Sequence, residues 1–202
     1  MNSILQFVTA AILISLMTLG AQARVTVSEK TKYFSVSGKT GKQIYQQLRR
    51  RAPAKLRRKN WIAATYANLN FKNIKIGVKG KRCLLTRADI HLSLTYHYPK
   101  LRSVKSKSKN VRKHWKAFSR GLVVHEKTHG RIFHDMAKSI IRVARAVSGN
   151  SSDNCRRFTR TLKRKFREIE KKFDRKQDAF DRRDNRSTSK FSKIEREFVR
   201  AR

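Results

Sequence analysis

The sequence predicts an α+β domain in which a small antiparallel sheet of about three strands packs against two long helices. Three observations carry that expectation. From Arg82 to Tyr98 side chains alternate, with Ala88, Ile90, Leu92, Leu94, Tyr96 and Tyr98 on one face and Arg87, Asp89, His91, Ser93, Thr95 and His97 on the other, which is the period of a half-buried strand. From Val111 to Val147 apolar residues, among them Trp115, Phe118, Leu122, Met136, Ile140 and Ala144, recur every three or four positions, as on a helix of about 35 residues. After the break "SGNSSDN" a second stripe follows, Phe158, Leu162, Phe166, Ile169, Phe173 and Phe180, and reads as another long helix.

The elements follow in order. Residues 1–23, "MNSILQFVTAAILISLMTLGAQA", carry no charged side chain, run apolar from Ile4 to Leu19 and close on Ala21-Gln22-Ala23. That is the h-region and small-x-small cleavage pattern of a signal peptide, so the mature chain is expected to start at Arg24, to be periplasmic or secreted, and to contain no transmembrane span. Tyr33 to Gly38 reads as a short strand. "TGKQIYQQLRRRAP" puts Ile44, Tyr45 and Leu48 on one helical face and stops at Pro53. Trp61 to Val78 is rich in β-branched and aromatic residues, and Lys79-Gly80-Lys81 turns the chain into the alternating strand. Residues 24–181 form the predicted domain. Residues 182–202, charged and with only Phe191, Ile194 and Phe198 as an apolar patch, read as a basic tail, mobile or peripheral.

The chemistry concentrates in "GLVVHEKTHGRIFH", Gly121 to His134. Lys and Arg number 51 against 13 Asp and Glu, and between Lys30 and His134 the only acids are Asp89 and Glu126, so a glutamate here is conspicuous. On a helix His125 and His129 lie one above the other and can clamp a metal ion, for which Zn2+ is the natural candidate. Glu126 projects about 100° round from His125, where its carboxylate can act as general base on an attacking water without displacing the ligands. Leu122, Val123 and Val124 are expected to bury the helix and steady the imidazoles. The third ligand is open. His134 leads, although it lies about 140° round a continuous helix from His129, so that it requires a bend, which Gly130 would permit. Glu170 is second, and Asp135, Glu168, Asp174 and Asp181 follow. His91 and His97 sit on the polar strand face, turned away. The expected activity is zinc-dependent peptide-bond hydrolysis on a zincin-like HExxH helix.

Two further readings come from composition. Cys83 and Cys155, far apart and without a CxxC, read as one disulfide in an exported chain, the alternative being two buried thiols. The net charge of +38 attracts polyanions. In an exported protein these are anionic envelope polymers or lipid headgroups. Nucleic acid is the less favoured partner, because no aromatic residues interleave the basic runs as base stacking requires. A strongly basic envelope protein with a structural or vestigial metal site is thus the competing reading.

The order "YFSVSGKTGKQIYQQL", "WIAATYANLNF", "CLLTRADIHLSLTYHYP", "HWKAFSRGLVVHEKTHG", "CRRF" and "KQDAFD" resembles DUF922, a bacterial family of predicted secreted zinc-dependent proteases, over residues 33–181. The resemblance implies a metallopeptidase-like role for His125, Glu126 and His129, and pairing of Cys83 with Cys155. The family often ends in a Tyr-Asp segment followed by a His-Gly pair. Here Phe180 stands at the tyrosine and Arg186 at that histidine.

Overall fold

The computed structural model describes residues 22–202. The expected leader therefore lies outside the described residues except for Gln22 and Ala23, which open the first strand, β1 (Gln22–Val36). Helices α1 (Gly41–Arg51) and α2 (Ala54–Arg57) follow, then the long hairpin of β2 (Ala64–Lys79) and β3 (Arg82–Leu101). A short 3-10 turn leads into α3 (Lys109–Ala146), the three-residue strand β4 (Ser148–Asn150), α4 (Arg156–Asp184) and α5 (Lys190–Arg200). The fold is α+β, as the alternation and the two long stripes predict.

The sheet differs from the expected antiparallel one. Its order is β1-β3-β2, with β4 paired to the start of β3. β3 is antiparallel to β2 and β4 but parallel to β1. The physical reason is the connection: β1 reaches its neighbour only after α1, α2 and all of β2, a crossover long enough to bring the chain back in the same direction. β1 is also far longer than the strand read from Tyr33 to Gly38. Most of its side chains are exposed, because it is an edge strand, so it lacks the alternation that marks a strand with one buried face.

β3 is the centre of the sheet and behaves as its pattern dictates. Ile90, Leu92, Leu94 and Tyr96 are buried under the helices, while His91 on the other face meets the hydroxyls of Thr26 and Ser28, each at 3.0 Å. One half of the core joins β3 to α1, the first half of α3 and α5; the other joins β3 to the second half of α3 and to α4. The disulfide Cys83–Cys155, with Cα atoms 5.7 Å apart, ties the start of β3 to the start of α4.

α3 is capped by Ser108, whose hydroxyl accepts from the Val111 N–H, and runs unbroken for 38 residues, about 57 Å at 1.5 Å per residue. Gly130 does not bend it. Instead, a Cβ there would lie 2.2 Å from the Tyr96 hydroxyl, so the missing side chain lets the helix rest directly on β3. Leu122 is buried as expected, but Val123 and Val124 are 41% and 64% exposed, because they fall on the helix faces turned from the sheet.

The expected basic tail is also corrected. Residues 182–184 end α4, and α5 then folds back onto the core. Phe198 is fully buried, stacked on Phe118 at 4.7 Å and edge-on to Trp115 at 5.5 Å between ring centroids. The Ala201 carbonyl accepts from the Gly41 N–H at 2.8 Å. The cause is the spacing of Phe191, Ile194 and Phe198 on one face of a short, Ser189-capped helix, enough to dock it despite its charge. Among the described residues no helix is long and apolar enough to cross a membrane. That and the disulfide are compatible with an exported protein.

Candidate metal centre

α3 presents His125 and His129 on one face, and α4 lies beside it. The His125 and His129 Nε2 atoms are 3.1 Å apart, and both point at one carboxylate oxygen, Asp181 Oδ1, at 3.2 and 3.0 Å. These three residues form a group that could hold a metal ion, with their ligand atoms within 4.8 Å of one another. Ligands at 2.0–2.1 Å in a tetrahedron are separated by about 3.3 Å. The triangle is thus within a few tenths of an ångström of that spacing, and two nitrogens with one carboxylate oxygen suit zinc, leaving a fourth position.

The outer nitrogens are held as well. His125 Nδ1 lies 2.6 Å from Asp184 Oδ2, and His129 Nδ1 lies 2.5 Å from Gln177 Oε1, while the Gln177 amide donates to the His129 carbonyl at 3.3 Å. Such partners fix ring orientation and direct the other nitrogen at the metal position. Gln177, Asp181 and Asp184 follow one another at spacings of four and three, so they share one face of α4 with Phe173. The buried stripe of that helix turns polar in its last two turns, where it meets the histidines. Phe180 closes the sides, its ring centroid 4.9 Å from that of His125 and 5.0 Å from that of His129. Phe191 of α5 stacks on His125 at 5.7 Å.

Electrostatics follow from this crowding. Burial opposes the charged form of His125, but hydrogen bonds to Asp181 and Asp184 outweigh it and raise its pKa to about 9. His129 is raised for the same reason, through Asp181 and Gln177. Burial disfavours the Asp181 carboxylate, yet the two imidazoles hold its pKa well below the usual range.

Glu126 points elsewhere, toward β2. It is 5% exposed, and its Oε2 accepts from the Thr65 hydroxyl at 2.7 Å, which also lies 2.9 Å from the Glu126 carbonyl oxygen. Burial raises its pKa, against the lowering pull of Thr65, His125 and His129. It stays outside the triangle of His125, His129 and Asp181.

The remaining sequence candidates are not at this centre. His134 lines a separate cavity of about 580 Å³ with Ala23, Val25, Lys138 and Arg142. α3 does not bend, so His134 keeps its 140° offset, and the group that could hold a metal ion joins Asp181, not His134, to His125 and His129. Glu170, Asp135 and Asp174 are exposed, and Glu168 pairs with Arg164 at 3.0 Å. His97 packs edge-on against Tyr66 on the outer sheet face. Thr65, Gln177, Asp184 and Phe191 were not foreseen. The i, i+4, i+7 polar run at the end of the α4 stripe was the one available signal.

No curated protein and no solved structure matches the chain. Residues 31–188 match the family described as bacterial protein of unknown function, DUF922, and with the match spanning most of its length, centre included, the chain belongs to that family.

Proposed function

We propose that the protein is an exported, zinc-dependent peptidase whose leader is removed after Ala23. The observation that carries this reading is the convergence of His125, His129 and Asp181 on one point, beside a buried glutamate that none of them engages as a ligand. When bound there, zinc would supply Lewis acidity, lowering the pKa of a water and polarising the scissile carbonyl.

The chain's own residues account for the rest. Asp184 and Gln177 hold the imidazoles with Nε2 inward. Phe180 and Phe191 wall the centre with apolar surface, which lowers the local dielectric and strengthens each charge interaction. Thr65 occupies Oε2 of Glu126 and leaves Oε1 to take a proton from the attacking water and return it to the leaving amine. Burial keeps Glu126 more basic than a solvated glutamate, which favours its accepting that proton.

The test is hydrolysis of a peptide library by the zinc-loaded protein beside Glu126→Gln. The variant should keep its metal and lose about 10²–10⁴-fold in turnover. Cleavage by Glu126→Gln at the wild-type rate would remove Glu126 from its assigned role.

A further inference from the structure

The far end of the β2–β3 hairpin carries a surface that the metal centre does not use. Ile74, Ile76 and Val78 are 49%, 38% and 60% exposed. Ile76 and Val78 pair with Leu85 and Cys83 of β3, so they belong to the apolar face of the sheet but project past the helices that cover it. Ile74 lies beside them, where the β2 register shifts between Lys72 and Lys75. Lys75 and Lys79 alternate with them on the opposite face of the strand, Lys81 and Arg82 follow at the turn, and all four are exposed. No acidic residue occurs between Phe71 and Cys83.

We propose that this hairpin tip docks the protein on an anionic lipid bilayer, with the aliphatic residues entering the headgroup boundary and the lysines meeting lipid phosphates. Each alternative occupant accounts for only half of the surface. A second copy of the edge strand would bring the same lysines against these, and like charges oppose edge pairing. Nucleic acid would satisfy the lysines, but three β-branched aliphatic side chains offer no platform on which bases stack. A bilayer with acidic headgroups takes both parts at once.

The topology agrees. β1 runs parallel to β3, with Arg24 opposite Asp89, so the basic start of β1 lies toward this end. β4, which follows α3, pairs with Arg82–Leu84, so the last turn of α3, with Arg145 bonded to the Ala23 carbonyl, lies there too. Thr65, beside Glu126, stands 13 residues back along β2 from Val78, a separation of roughly 40 Å at about 3.3 Å per residue. A docked tip would therefore hold the metal centre well clear of the lipid, facing chains above the membrane surface.

The experiment must separate this tip from the general attraction of a +38 chain. Sedimentation with phosphatidylcholine vesicles, with and without phosphatidylglycerol, compares the wild-type protein with the charge-neutral triple substitution Ile74→Ser, Ile76→Ser, Val78→Ser. The expected result is binding only to the phosphatidylglycerol vesicles, about tenfold weaker in the triple variant. Should that variant fail to fold, Val78→Trp provides the second readout, its emission shifting to the blue on those vesicles once the wild-type signal of Trp61 and Trp115 is subtracted. Equal binding by the wild type and the serine variant, an unshifted emission from V78W, or binding to duplex DNA without binding to the vesicles would overturn the proposal.

Discussion

Asp181 and the two histidines hold one another in charged form, and this makes the site's behaviour with pH predictable. The pKa of His125 is raised to about 9 from an ordinary 6.5, so its ion pairs contribute stability that is complete below pH 6.5 and lost as pH rises through 9. The metal-free protein should therefore lose thermal stability between those values. Zinc must displace the His125 proton, so added zinc should raise the melting temperature more at pH 9 than at pH 6.5; a scan with chelator or zinc at several pH values measures both. Replacing Asp184 or Gln177 by Ala should weaken zinc binding by about 10–100-fold without abolishing it, because each acts through a histidine, as competition with a chromophoric chelator will report. At this scale the pair His125 and His129 was legible, since helical spacing alone brings the two imidazoles together. Asp181 was not. It comes from α4, 52 residues after His129, and its place depends on how two helices dock, a relation that no local period encodes.

The helices were legible and the sheet only partly so, for a common reason. A buried face imprints a period on the sequence, and α3, α4 and β3 each bury one. β1 is an edge with both faces largely open, and its parallel pairing depends on a partner some sixty residues away. In composition the charged faces of α5 outweigh its three apolar residues, although those residues share a face. Two substitutions test this account. Phe198→Ala should cost about 3–5 kcal/mol, as for a fully buried aromatic ring, whereas a peripheral tail would lose nothing. Gly130→Ala should cost about 1–3 kcal/mol, because its methyl group would force α3 away from Tyr96. Denaturant titration of both variants measures these losses, and an unchanged midpoint would contradict the packing described.

Across the whole molecule the candidate metal centre is a junction between elements. His125 and His129 come from α3, Asp181 from α4, and Phe191 brings α5 against the same imidazoles. A metal held there would pin the end of α4 to the middle of α3, while the disulfide pins its start to β3. The two constraints bracket α4, whose charged surface contributes few buried residues of its own. With its cysteines 72 positions apart, the disulfide should contribute about 4 kcal/mol by restricting the unfolded chain, so reduction should lower the melting temperature and zinc should recover part of the loss. Elemental analysis of the purified protein after dialysis against zinc decides whether this junction is a metal site. About one zinc per chain is predicted for the wild type and for Glu126→Gln, and almost none for Asp181→Ala. A wild-type protein that takes up no zinc, or an Asp181→Ala variant that holds it as tightly as the wild type, would contradict the account.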